Sequence, residues 1–408
     1  MSWKIDTLGN YSKVISGYAF KSDSFRTDNG IPIIKIKNIQ REYVEIDGEY
    51  FVDTSYLSLN PKFHCIKDDI LISLTGSHIT LPNSVVGRVA KYHYDFTSLL
   101  NQRGGKIVVT NPDKLENNYL YYYLCQNEIR IKLAQFGRGG ANQCNISPSN
   151  VESIPIILPP LETQKRIASI LSTYDDLIEN NLKRIKLLEE TAQNIYKEWF
   201  VNFRFPNYEH TEFDAESGLP VGWRKRKVTD FFDFIKGIEV GSANYENEPN
   251  SEVVPFLRVG DISKRDGGIY VKKSLVKDKF VNKNDILISF DGSIGSVGYG
   301  LEGSYSSGLR KITSKTEIFG TGFMYCLVKS DNIQNTINAH AKGTTILHAG
   351  TSIIHLEFPL ATDNVILSFN QITNPIFEQM VSLNYQNQKL KEARDILLPR
   401  LMNRTIEV

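Results

Sequence analysis

The side chains of this chain that could do chemistry are donors and cations, not a nucleophile with its base. Basic clusters stand at Arg224-Lys225-Arg226-Lys227, Lys272-Lys273 and Arg310-Lys311; such groups on loops neutralise phosphates or form a solvated face. Catalytic constellations are missing. No G-x-x-x-x-G-K-[ST] occurs, and Gly104-Gly105-Lys106 has that motif's tail without its upstream glycine, so no triphosphate cradle is expected. The run Gly292-Ser293-Ile294-Gly295-Ser296-Val297-Gly298 follows a strand pattern but leads into no helix pattern, and reads as a Gly-rich turn. No Asn-Pro-Pro-Tyr aminomethylation loop is found; Asn111-Pro112-Asp113 and Asn374-Pro375-Ile376 read as turn or helix-start segments. A nuclease carboxylate cluster with a following E-x-K is absent after Pro112-Asp113. His64, His78, His93, His210, His340, His348 and His355 show no metal-ligand spacing. Cys65, Cys125, Cys144 and Cys326 never form C-x-x-C, so they read as reduced, mostly buried thiols, with no structural metal expected. These absences point to a binding protein.

Composition agrees with a globular chain of two or three domains: 408 residues, 41% hydrophobic, 23% charged, net charge +1. Met1-Ser2-Trp3-Lys4-Ile5-Asp6 lacks a secretory pattern, and no apolar run approaches the ~18 residues of a membrane span, so a cytoplasmic location is expected.

What must position the donors is a scaffold written twice. Lys67-Asp68-Asp69-Ile70-Leu71-Ile72-Ser73 returns as Lys283-Asn284-Asp285-Ile286-Leu287-Ile288-Ser289. Around it, Trp3-Lys4 answers to Trp223-Arg224, Ser16-Gly17 to Lys236-Gly237, Arg138-Gly139-Gly140 to Lys342-Gly343-Thr344, and Ile154-Pro155-Ile156 to Phe358-Pro359-Leu360. A period near half the chain is too long for a solenoid and implies two similar domains with approximate two-fold symmetry. Duplex DNA, itself two-fold in backbone, suits such a molecule. The offset shrinks from 223 at Pro32/Pro255 to 204 at Gly139/Gly343, so loops differ in length while strands do not. Loops are where function diverges between copies.

Each half ends in a long helical pattern. From about residue 161 to 200 there is no Gly or Pro, and Ile167, Leu171, Tyr174, Ile178, Asn181, Ile185, Leu188, Ala192, Ile195 and Trp199 form a heptad seam. Such a helix spans roughly 50 to 60 Å and needs an equally long partner. Ile366, Phe369, Thr373, Ile376, Met380, Leu383, Asn387, Leu390, Arg394, Leu397 and Leu401 supply one, with Pro399 expected to kink or end it. Paired antiparallel, the two seams bring Asn181 near Asn387, where a buried polar pair could fix register; two surface asparagines is the alternative.

The rest reads as short strands, Ile31 to Ile36, Ile70 to Leu74, Lys106 to Val109, Val253 to Val259, Ile286 to Phe290 and Lys311 to Thr313, with helices at about Tyr119 to Phe136 and Gly322 to Ala339. The predicted class is α+β: two similar mixed α/β domains (residues 1–158 and 207–360), a central spacer helix (159–206) and a distal one (361–408), antiparallel and pseudo-two-fold.

The segment Leu158-Pro159-Pro160-Leu161-Glu162-Thr163-Gln164-Lys165-Arg166-Ile167-Ala168-Ser169-Ile170-Leu171, with Leu188-Glu189-Glu190 and Tyr196-Lys197-Glu198-Trp199-Phe200-Val201-Asn202-Phe203, resembles the DNA-specificity subunit of Type I restriction-modification systems. Leu390 to Leu401 looks like that family's second spacer helix, and Gly218-Leu219-Pro220-Val221-Gly222-Trp223 like its lead into the second recognition domain. Where the family often has a Ser-Gly pair near the end, this chain has Asn403-Arg404. The resemblance implies two target-recognition domains, each reading half of a split, asymmetric DNA site, held apart by the two helices as a ruler. It implies no catalysis in this chain. Two methyltransferase subunits using S-adenosylmethionine would act, with an optional two restriction subunits using ATP and Mg2+, in host defence. Trp199 and Phe200 would face the methyltransferase subunits, or else the core of their own domain.

Residue chemistry gives the candidate DNA contacts: Lys37, Asn38, Arg41, Ser77, His78, Arg138, Asn142 and Gln143 in the first half, and Lys264, Arg265, Asp291, Ser293, Arg310, Lys311, Lys342, Thr344 and Thr345 in the second. Arg and Lys suit guanine, Asn and Gln adenine, in the major groove. Gln102 stands in an Asn-Gln pair that the resemblance assigns to bracing the fold. Two other readings stay open on residues alone: a coiled-coil scaffold whose domains bind protein or glycan, and a hidden nuclease or methyltransferase.

Overall fold

The computed structural model describes every residue except 1–2, 47, 78–83, 141–142, 247, 265–267 and 344–346; the side chains of 138–140, 143, 263 and 264 are also outside the description. The chain forms two compact units, Met1–Leu177 with Leu390–Val408, and Ile178–Lys389.

In the first unit, strand Ile70–Ser73 is the centre of a five-stranded sheet ordered Ser12–Ser16, Gly104–Val109, Ile70–Ser73, Val89–Lys91, Glu42–Tyr43. Ile70 and Ile72 pack with Tyr119, Leu120 and Leu133, whereas Leu71 packs with Ile34, Val44 and Tyr92. Both faces are covered, which is why this strand reads as an unbroken apolar run. A second sheet of four runs Phe51–Val52, Ile31–Ile34, Ser98–Leu100, His64–Cys65, and Lys4–Thr7 pairs with Pro155–Leu158.

The second unit repeats the plan. Its sheets are Phe232–Lys236, Leu309–Ser314, Ile286–Ser289, Val297–Tyr299 and Tyr270–Lys272, Val253–Leu257, Gly303–Tyr305, Phe280–Val281, with Arg224–Lys227 against Glu357–Leu360. The repeated glycine has a steric cause. A Cβ on Gly17 would lie 2.3 Å from Asn101 O, and one on Gly237 2.2 Å from Ser306 O, so a strand passes too close for any side chain.

Each predicted domain helix is in fact two: Asn117–Cys125 then Asn127–Gln135, and Thr321–Lys329 then Asp331–Ala339. The hinge residues, Gln126 and Ser330, are extended (ψ 136° and 146°) although neither is Gly or Pro. Their side chains add a second bond to the carbonyl three residues back that their own backbone N–H already holds: Gln126 Nε2 donates to Tyr123 O (3.0 Å) and Ser330 Oγ to Leu327 O (2.6 Å). A side chain that bonds its own backbone offers the chain an exit that periodicity does not register.

The central helix covers Leu161–Tyr196 and closes in a π-turn, Lys197–Val201; the distal helix covers Asp363–Met402. Within the first unit Ile167 and Leu171 share a core with Leu401 and Met402. Within the second, Asn181 meets Asn387 while Tyr196 meets Phe369, so the helices run antiparallel there. Full burial of each seam Ile or Leu contributes about 1.5 to 3 kcal/mol relative to exposure. One expectation fails in the distal helix, which passes through Pro375 without a turn or a new start; Pro399 stands in its last turn, three residues before its end at Met402. The carbonyls those prolines leave without an N–H belong to Gln371 and Asp395, both exposed residues, where water can take the place of the lost bond.

Candidate nucleic-acid interface

Two of the side chains that the sequence offered as base readers are braces instead. Lys311 Nζ donates to Asp285 Oδ2 (3.0 Å) and Phe280 O (3.3 Å). Its repeat partner Lys106 does the same, to Asp69 Oδ2 (3.3 Å) and His64 O (2.7 Å). Both aspartates also close the turn before their strand, accepting from Ile66 N and Asn282 N at 2.8 Å. Asn38 is buried; its Oδ1 accepts from Lys35 N (2.9 Å) and its Nδ2 donates to Glu45 O (2.8 Å). At the matching place Asp261 accepts from Arg258 N (2.9 Å). Groups that recur in both halves with every polar end satisfied hold the scaffold, and lysine, unlike a loop donor, reaches its partner here from inside a strand.

Several of the remaining candidates gather in each unit where the turn after the buried strand meets the Gly-rich loop. In the first unit Arg138–Gly140 pairs with Gln143–Asn145, which pairs with Thr75–Gly76, so the backbone of Gln143 continues the register toward Ser77 while Arg138 stands one strand further out, opposite Asn145. Thr75 Oγ1 and Asn145 Oδ1 tie the two segments at 2.8 Å. In the second unit bridges link Asp291 to His348 and Lys342 to His348, and His348 Nδ1 donates to Asp291 Oδ1 over 2.6 Å. Ser293 and Lys342 are exposed there. Arg310 is half-buried beside them, spent on Ser307 O (2.6 Å) and Leu309 O (3.0 Å), and burial lowers its pKa. His78, Asn142, Arg265, Thr344 and Thr345 lie outside the described residues.

Others stand apart. Lys264 ends the helix Val259–Lys264. Lys37 is exposed, paired with Glu49, and 4.8 Å from the Tyr50 ring centre. The Gln102 side chain is exposed, so it braces nothing; the backbone does, through Gln102 N to Tyr18 O at 2.9 Å.

Sequence reasoning missed Arg88 and Arg130, which line one pocket with Arg41 in the first unit. A signal existed. The turn glycines Gly87 and Gly295 (φ 70° and 75°) align the halves and set Arg88 opposite Ser296, and the helix hinges set Arg130 opposite Gln334.

The family model for the Type I restriction modification DNA specificity domain matches residues 2–190 and 220–362. The chain belongs to this family. Its relatives include the Type I restriction enzyme MjaIX specificity subunit of Methanocaldococcus jannaschii, 29% identical over 313 residues, 71% of this chain and 69% of the relative. The putative MjaX specificity subunit of the same organism is 30% identical over 304 residues, 72% and 68% of the two chains. The HindI specificity subunit of Haemophilus influenzae is 23% identical over 365 residues, 73% and 79%. The solved S subunit of a Type I system from M. genitalium has the same fold, with TM-score 0.51 and 16% identity over 98% of this chain and 96% of that one.

As a Type I specificity subunit the chain is a recognition component, not an enzyme. Two features of the specificity subunit bear on partners. Trp199 and Phe200 do not face outward: they are 8% and 1% exposed, and Phe200 packs 5.1 Å from both Phe323 and Phe369 and 5.8 Å from Trp223. Both rings sit in their own unit's core; Trp199 stands where the heptad seam put it, and Phe200, next to it in the π-turn, lies off that seam. All four cysteines are free thiols, and burial raises the pKa of Cys65, Cys125 and Cys326. Among the described residues no group of His, Cys, Asp or Glu could hold a metal, and no helix is long and apolar enough to cross a membrane.

Proposed function

We propose that this specificity subunit reads a bipartite, asymmetric site in double-stranded DNA, one half with each unit, and directs two methyltransferase subunits to it. Those subunits use S-adenosylmethionine; where two restriction subunits join, they use ATP and Mg2+. The complex works in the cytoplasm. In each unit the loop cluster around Ser77 and Arg138, or around Ser293 and Lys342, supplies donors to base edges and phosphates, most contacts going to phosphate.

The observation that carries this reading is the contrast between duplicated braces and diverged loops. Lys106–Asp69 and Lys311–Asp285 are the same device, whereas Arg88 faces Ser296 and Arg130 faces Gln334 across the repeat. Equal scaffolds with unequal reading loops require a target whose halves differ. Mapping methylated adenines in cells carrying this chain with its modification subunits tests it. One motif with two unlike halves and an unread gap is expected. A continuous or palindromic motif, or methylation by the purified chain alone, would sink the reading.

A further inference from the structure

The register that joins the two loops of each unit repeats around one central residue. In the first unit Asn145 stands opposite both Thr75 and Arg138, and Ile146 N donates to Leu74 O (2.9 Å). In the second, His348 stands opposite both Asp291 and Lys342, and Ala349 N donates to Phe290 O (2.8 Å). Thr75 and Asp291 are repeat partners, as are Arg138 and Lys342, so Asn145 and His348 occupy the same seat. The seat is firm. Leu74, Ile146, Phe290 and Ala349 beside it are all buried, and His348 exchanges two backbone bonds with Lys342, at 2.8 and 3.0 Å. The side chains on the seat nevertheless face solvent: Asn145 is exposed, and the His348 side chain is 63% exposed. Each is tied at one end to the turn after the buried strand. Thr75 Oγ1 donates to Asn145 Oδ1 (2.8 Å), whereas His348 Nδ1 donates to Asp291 Oδ1 (2.6 Å), so the tie runs in opposite directions in the two units. Neither Asn145 nor His348 is among the contacts that residue chemistry picks out of the sequence.

We propose that Asn145 and His348 are the matched base-reading residues of the two units, each contacting one base pair of its half-site from a seat held by Thr75 or Asp291. The inference rests on the DNA reading above and gives it residues. A short side chain on a fixed backbone, already tied at one end, has little freedom left to lose on binding. The tie also decides what each side chain presents. With the Thr75 hydroxyl on its Oδ1, Asn145 keeps Nδ2 as a donor and the second Oδ1 lone pair as an acceptor, the pattern that matches N7 and N6 of adenine in the major groove. With Asp291 holding the Nδ1 proton, the neutral His348 ring presents Nε2 as an acceptor. Such an acceptor suits the exocyclic amino group of cytosine or adenine and is repelled by the carbonyl oxygens of guanine and thymine. Asp291 is then a positioning residue, because it acts on the base through the ring. Exposed Lys342, opposite His348 in the register, adds charge for a neighbouring phosphate without base preference. The frame of the seat repeats while its occupant differs, as an asymmetric site requires.

Exchanging the pairs tests it. The chain is expressed with its methyltransferase subunits as wild type and with the first unit's pair placed in the second, Asp291→Thr with His348→Asn, and the methylated sites are mapped. One base pair of the second half-site should change, while the first half-site and the gap stay as they were. The reciprocal variant, Thr75→Asp with Asn145→His, should change one base pair of the first half-site. Asp291→Asn keeps the shape but releases the ring tautomer, so it should admit a further base at the same position as the exchange; a merely structural aspartate would leave the motif strict. In the wild-type complex, analogues lacking the exocyclic amino group, placed one at a time in the second half-site, should weaken binding about tenfold at one position, and His348→Ala should no longer respond there. A further measurement needs no variant: modification of His348 by diethylpyrocarbonate, read by mass spectrometry on the wild-type complex, should fall when duplex carrying the methylated site is added. A wild-type complex that binds no duplex and methylates no split motif would sink this inference together with the DNA reading. Exchange variants that methylate the wild-type motif, or a His348 modified equally with and without duplex, would overturn the base-reading seat alone.

Discussion

Asn181 donates through Nδ2 to Asn387 Oδ1 over 2.9 Å, with both side chains buried and Asn387 Nδ2 turned toward Ile178 O at 3.5 Å. This is the one amide pair in an otherwise apolar stretch of the helix seam, and each partner's burial is affordable only while the other is present. Asn181→Leu alone leaves the Asn387 amide buried without its partner and should cost about 1 to 3 kcal/mol. The double change to leucine restores polar balance and should recover most of that loss while removing the register signal. Denaturant unfolding of the two single variants and the double variant checks this. Additive losses would show that the asparagines do not act as a pair.

A second prediction separates brace from reader. Lys106 and Lys311 have 10% and 21% side-chain exposure, and their aspartates 18% each, so removing the ammonium strands a carboxylate. Lys311→Met should destabilise the second unit by roughly 2 to 4 kcal/mol, and Lys106→Met the first by at least as much. Neither should change the bases methylated by surviving complexes. A Lys311→Met protein of normal stability that methylates a different second half-site would return Lys311 to the reading surface.

Why the sequence reveals the braces as a repeat but not as braces follows from these residues. Ile70-Leu71-Ile72 and Ile286-Leu287-Ile288 announce buried strands through composition alone, and the heptads of the two long helices are fixed by period. The direction in which Lys311 points is not periodic: it depends on Asp285 arriving in the turn before the neighbouring strand. The same holds for Phe200, which lies off the heptad seam in the π-turn yet is buried, and for Gln126 and Ser330, where the chain turns out of a helix that propensity would continue. The arginine pocket was legible only by subtraction between the two halves, since Arg88 and Arg130 lie 42 residues apart on a turn and a helix.

Arg394 provides a third case. Its guanidinium, 7% exposed, binds Asp175 Oδ1 and Glu42 Oε2 at 2.6 Å each, and Tyr122 OH donates to Asp175 Oδ2 at 2.6 Å. Burial alone would lower the Arg394 pKa, but Glu42 and Asp175 together hold it above its usual value. The end of the distal helix is thereby latched to the first recognition domain. Arg394→Met takes the counter-ion from Glu42 and Asp175, and the weaker partner from exposed Asp395, and should cost about 3 to 5 kcal/mol. Arg394→Lys should rescue little, because one ammonium cannot span both oxygens as the fork does. Chemical unfolding of the first unit, followed by tyrosine fluorescence, measures it; a lysine variant of wild-type stability would show that charge alone suffices.

The burial of Phe200 gives the last prediction. A ring 1% exposed among Tyr196, Trp223, Phe323 and Phe369 leaves a cavity when truncated, so Phe200→Ala should cost about 3 to 5 kcal/mol. If its role is confined to that core, Phe200→Leu, which refills most of the volume, should restore stability and methyltransferase binding together. The two quantities are read side by side, by thermal unfolding of the free chain and by titration with the modification subunit. A leucine variant that melts like wild type yet binds the methyltransferase subunit tenfold more weakly would show that the ring is recognised by the partner after all.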